Sequence, residues 1–88
     1  MISRVTARFW ENYHSLPISV QRLADEKYRL WLTQPQHSSL SFKRLKGLEN
    51  LYSVRIGLRY RALAYRYDKI YTWVWIGSHA DYDKLLQS

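Results

Sequence analysis

The sequence has no cysteine, only three glycines and two prolines, and few acidic residues: seven Asp and Glu against fourteen Lys and Arg. Without cysteine there is no disulfide and no thiolate metal site, which fits a cytoplasmic chain. So little glycine and proline leaves no room for a flexible linker. With no low-complexity run or internal repeat either, residues 1–88 read as one domain. No apolar run approaches the ~20 residues of a bilayer span, and the first residues lack the uninterrupted apolar core of a secretion signal, so no membrane is expected. The net charge of +7 favours an anionic partner, nucleic acid or an acidic protein segment.

Aromatic residues, in contrast, are plentiful at 16% of the chain. Large rings bury much area per residue, so a core is within reach of a short sequence. Residues 3 to 14 read as a helix with Ser3 as its cap and Val5, Phe9 and Tyr13 at helical spacing. After Ser15-Leu16-Pro17 the apolar series Val20, Leu23, Ala24, Tyr28, Trp31 predicts a second helix, stopped by Gln34-Pro35-Gln36. A link this short makes the pair an antiparallel hairpin. The period then changes. Residues 40–45, 51–57, 59–67 and 70–76 read as strands, with turns at Gly57-Leu58 and Asp68-Lys69. Helices first and strands after them indicate α+β: a helical hairpin on a three- to four-stranded, mainly antiparallel sheet. A short last helix begins at Ser78, where Ser78-His-Ala-Asp81 forms a capping box.

Three basic groups are candidates for chemistry. Lys43, Arg44 and Lys46 lie in and after the first strand. Arg55, Arg59, Arg61 and Arg66 lie on the central strands, where residues two apart share a face, so Arg59 and Arg61 point together and Arg55 stands roughly across from Arg61. Arginine presents a planar fork that matches phosphate oxygens in pairs. His79 offers a titratable ring at a helix start, whose free N–H groups attract anions. Trp73 and Trp75 are two apart on the last strand, set against Thr72, Val74 and Ile76, and only one of these sets can face the helices. His14, His37 and His79 have no metal-ligand spacing, and no glycine-rich phosphate loop or G-x-S-x-G elbow is present, so neither metal nor cofactor is expected.

Three stretches resemble the RelE/ParE superfamily of bacterial type II toxins: Leu40-Ser-Phe-Lys-Arg-Leu45, Tyr52-Ser-Val-Arg-Ile56 followed by Tyr60-Arg-Ala-Leu63, and Trp75-Ile-Gly-Ser-His79. The likeness spans roughly residues 4 to 86. The family's usual first strand looks absent, because the first helix is expected to start almost at Met1. Ribosome-dependent members cleave mRNA without metal, the RNA's own 2′-hydroxyl attacking the adjacent phosphate. The resemblance gives Arg61 charge stabilisation, Arg55 a contact to the scissile region and His79 general acid/base work. Tyr82 is the nearest substitute for a terminal tyrosine that aligns with Asp83 or Leu85. Lys43, Arg44, Lys46 and Arg59 would hold the nucleic acid. Ser53 stands where nuclease members carry a second lysine. That departure keeps two alternatives open: a ParE-like inhibitor of DNA gyrase, and a basic nucleic-acid-binding module without catalysis. Either toxin reading implies a cognate antitoxin with an acidic, amphipathic segment, and the nuclease reading implies ribosome and mRNA as partners.

Overall fold

In the computed structural model, which describes residues 2–87, Thr6 caps the first helix and Ser3 does not. The Phe9 N–H donates to Thr6 Oγ1 at 3.1 Å, while the Thr6 hydroxyl donates to the Trp73 carbonyl at 3.2 Å. The helix is therefore α1, Ala7–His14, and the residues before it form a strand, β1, Ile2–Val5. Ser3 works inside that strand: its Oγ accepts from the Trp73 indole N–H and the Tyr28 hydroxyl. The expected helix over 3–14 is corrected by this arrangement, as is the expectation that the first strand is absent.

Helix α2, Ile18–Thr33, follows the break at Ser15-Leu16-Pro17 and ends at Gln34, as the Gln34-Pro35 stop requires. The Tyr13 hydroxyl on α1 donates to Asp25 Oδ1 at 2.9 Å, and Tyr28 reaches β1, so α2 runs back along α1. Burial, and then the bond to the Asp25 carboxylate, push the Tyr13 phenol above its ordinary value, so it stays a donor through the physiological range. Of the expected strand over 40–45, Leu40 ends a 3₁₀ turn, Ser38–Leu40, and Ser41 is αL, leaving only Lys43–Arg44 as strand β2.

Strands β3 (Leu51–Ile56), β4 (Tyr60–Tyr67) and β5 (Ile70–Ser78) form the meander, and α3 (His79–Gln87) closes the chain. The sheet has five strands in the order β1-β5-β4-β3-β2, and β1 lies parallel to β5. A mixed five-stranded sheet replaces the expected three or four mainly antiparallel strands. The fold is α+β, with both N-terminal helices on one face. Gly57 sits at φ +64 in the β3–β4 turn, and a Cβ there would stand 2.8 Å from a Leu23 methyl, so glycine is needed on both counts.

Directly opposed residues in antiparallel strands share a face. Val54, Ile56, Ala62, Ala64, Trp73 and Ile76 turn to the helices and, with Ala24, Trp31, Leu40 and Tyr71, make the core. Trp31 is its centre at 1% exposure, with its ring centroid 5.0–5.6 Å from those of Phe42, Tyr71 and Trp73. Its indole nitrogen has no hydrogen-bond partner among the described residues. A cavity of about 220 Å³ lies between Trp31, the helices and the sheet.

The pairing of β4 with β5 slips by one residue between Leu63 and Ala64: Leu63 stands opposite Trp75, but Ala64 opposite Trp73. Val74 is thus the extra residue of a bulge. The slip sends Trp73 to the core face and Trp75 to the opposite one, although two-residue spacing predicts a shared face.

Candidate functional site

The sheet face away from the helices is built in rows. Arg55, Arg61 and Gly77 stand side by side across β3, β4 and β5, and Lys43, Ser53, Leu63 and Trp75 form the row beside them. The turn at Gly57 sets the first row, because it closes β3 against β4 with Ile56 opposite Tyr60 and hence Arg55 opposite Arg61. Arg55 Nε donates to the Gly57 carbonyl at 3.3 Å, and Arg61 Nη1 to the Tyr60 carbonyl at 2.9 Å. These bonds orient the two guanidinium groups and neutralise neither.

Among the described residues no Lys or Arg comes within 4.0 Å of a carboxylate; the one ion pair is between His79 Nε2 and Asp83 Oδ2, at 3.9 Å. A solvated basic surface normally scatters acids among its bases. Here two arginines are held side by side with their charge unspent.

Gly77 leaves room for the Trp75 ring: a Cβ at Gly77 would lie 2.6 Å from one ring carbon and 2.9 Å from another. The folded-over ring brings Trp75 to Tyr82 of α3, centroids 6.4 Å apart. His79 begins α3. Its own N–H donates to the Arg59 carbonyl at 2.7 Å, which pins the helix start to the turn between β3 and β4. Tyr82 stands 6.0 Å from the His79 ring, centroid to centroid. The Asp81 N–H donates to Ser78 Oγ at 3.1 Å, the cap read from the Ser78-x-x-Asp81 spacing. Since α3 contains no buried residue, this cap and the His79–Arg59 bond hold the histidine in place. Ser78→Ala is expected to destabilise the first turn by about 1 kcal/mol, a roughly fivefold faster amide exchange at Asp81, read by hydrogen-exchange NMR.

The geometry thus gathers Arg55 and Arg61 in one row, with Lys43 in the adjoining row and His79 and Tyr82 at the end nearest the β3–β4 turn. It separates others. Arg44 pairs with Tyr52 and so faces away from Lys43, and Lys46 lies in the turn beyond β2. Arg59 is a turn residue, not a strand neighbour of Arg61: three residues, 57–59, are consumed in reversing the chain. Asp83 was not among the residues expected at the site. Its i, i+4 relation to His79 is the signal that could have found it. Ser53 is 3% exposed, walled between Lys43 and Leu63 in the middle of the row, so its position offers no cation. No group of three or more His, Asp or Glu stands close enough to hold a metal ion among the described residues. Nor does any described helix have the length and apolarity to cross a membrane.

A helix pair on one side of a mixed sheet is a fold that several solved structures share. The RelB–RelE antitoxin–toxin complex of Methanococcus jannaschii contains a chain that superposes with a TM-score of 0.76 at 13% identity, over 93% of this chain and 96% of that one. For the isolated Escherichia coli RelE toxin the TM-score is 0.67 at 15% identity, covering 98% and 95%. The YoeB/ParE toxin of Agrobacterium tumefaciens gives 0.69 at 16%, covering 90% and 99%. The family model of the ParE-like toxin domain matches residues 18–84, and the chain belongs to that family, within the RelE/ParE superfamily of type II toxins. No curated protein sequence matches it.

Proposed function

We propose that this toxin is a ribosome-dependent mRNA endoribonuclease that arrests translation. The observation that carries the reading is the cross-strand pair Arg55–Arg61, free of carboxylates, with His79 fixed beside it by its bond to Arg59. In the reaction the 2′-hydroxyl of the RNA bonds to the adjacent phosphorus and the 5′-oxygen leaves. The products are a 2′,3′-cyclic phosphate and a 5′-hydroxyl. Because the nucleophile is internal to the substrate, the protein has two tasks: stabilise the extra negative charge of the pentavalent phosphorus and move a proton on each side. Arg61, with Arg55 opposite, serves the first. His79, its ring near the Asp83 carboxylate, serves the second, with Tyr82, whose ring stands 6.0 Å from the imidazole, as a further donor. Lys43 contributes charge to the RNA backbone from the adjacent row.

The same basic face suits an acidic antitoxin segment, so the toxin is proposed to be neutralised by a cognate antitoxin in the cytoplasm. A second reading has its own support. The match is to a ParE-like family model, and Ser53 places no cation in the middle of the site. Both favour a non-catalytic toxin acting on DNA gyrase.

Induced expression with transcript-end mapping, and a gyrase supercoiling assay run in parallel, separates the two. The nuclease reading expects new 5′ ends within translated codons and unimpaired supercoiling. Intact transcripts alongside inhibited gyrase would replace it with the second.

A further inference from the structure

Two rings continue the site face along β4. Tyr65 stands opposite Leu51, the last residue of β3 to pair, and Tyr67 lies beyond the end of that strand. Their rings stack on each other at 6.3 Å and 20°, with Tyr65 38% and Tyr67 61% exposed. Tyr65 caps buried Leu51 and has a packing role. Tyr67 pairs with Ile70 of β5 and keeps most of its ring in solvent. Arg66, between them, points to the other face, where it donates to the Tyr52 hydroxyl and lies 5.6 Å from the Tyr71 ring.

We infer that Tyr67, supported by Tyr65, is a base-stacking platform for single-stranded RNA, placed a few nucleotides from the scissile phosphate. The inference rests on the nuclease reading and adds to it a substrate-binding contact outside the reacting group. Along β4 the face presents Arg61, then Leu63, then the two rings. At ~3.3 Å per residue the first ring lies roughly 13 Å from Arg61. A nucleotide strand alternates phosphate charge with flat bases, and this face offers cation and ring in the same sequence. An acidic, amphipathic segment would also meet the arginines and lay apolar side chains on the rings, and the oligoribonucleotide arm of the test separates it from a stacked base. Stacking on a ring is tolerant of base identity, which suits a toxin that must act on many transcripts.

The test uses the purified toxin on programmed ribosomes, comparing wild type with Tyr67→Leu, Tyr67→Phe and Tyr67→Trp. Tyr67→Leu is expected to raise KM roughly tenfold, the loss of one base–aromatic stack, with kcat unchanged. Phe and Trp keep a ring and are expected to stay near wild type. In parallel, a short single-stranded oligoribonucleotide is titrated into the wild-type protein, where the ring resonances of Tyr65 and Tyr67 are expected to shift. An unchanged KM in Tyr67→Leu, in a preparation whose wild type cleaves, overturns the platform and leaves the nuclease reading standing. Ring shifts with RNA from a wild type that does not cleave keep the platform and remove the nuclease reading. Lost growth arrest in Tyr67→Leu with undiminished oligoribonucleotide binding overturns it in favour of a protein contact.

Discussion

Arg61→Ala is expected to slow transcript cleavage on the order of 10²–10³-fold, the usual effect of deleting one donor aimed at developing transition-state charge. Stability is expected to move the other way. Arg61 faces Arg55 directly across the β3–β4 pair, and like charges in that relation are unfavourable by a few tenths of a kcal/mol. Removing one relieves the repulsion, so the melting temperature should hold or rise slightly. Opposite signs in activity and stability mark a residue retained for function against the interest of the fold. Arg61→Lys restores the charge but not the fork and is expected to recover only part of the rate. Single-turnover cleavage of ribosome-bound mRNA, with thermal denaturation of the same preparations, checks both halves. An alanine variant that still cleaves at the wild-type rate would remove Arg61 from the mechanism.

The largest effect on stability is expected at Trp31. Its ring is enclosed by Tyr28, Phe42, Tyr71 and Trp73, which come from α2, the segment before β2, and β5. Trp31→Ala deletes the one side chain that touches all of them, at a site already bordered by a cavity of about 220 Å³. The expected loss is ~3–5 kcal/mol. Small domains hold about 5–15 kcal/mol in total, so the variant should melt on the order of 15–30 °C lower. Trp31→Phe is expected to keep most of that stability, because the indole nitrogen it removes makes no hydrogen bond among the described residues. Melting followed by circular dichroism, in an Arg61→Ala background that avoids toxicity, gives both values. A Trp31→Ala protein melting within a few degrees of its parent would show that the core is organised around something else.

What could be read from the sequence follows the range of the forces involved. The Gly57-Leu58 turn brings Arg55 and Arg61 close across their hairpin, and that much was legible in the sequence. Their direct pairing needs a third turn residue, since a two-residue turn would set Arg55 opposite Tyr60. The cap at Ser78 and the stop at Gln34-Pro35 are equally local. Strand β1 was not legible, because its partner β5 is about seventy residues away and a four-residue segment carries too little pattern to announce itself. Val5 happens to fall in helical phase with Phe9 and Tyr13, which extended the apparent helix backward over the strand. The two faces of Trp73 and Trp75 were misread for a different reason. Alternation assumes an unbroken ladder, and the bulge at Val74 breaks it. At the site, Arg59 was drawn onto a strand because the turn was counted as two residues when it takes three.

The parallel pairing of β1 with β5 also has a consequence in time. The Ile2 N–H donates to the Lys69 carbonyl and the Thr6 N–H to the Trp73 carbonyl, so a segment made early waits for one made much later. Contacts so far apart in the chain are the slow ones in folding. The edge of the sheet beside Trp73 therefore closes only after β5 has formed, and the site face is completed from segments far apart in the chain.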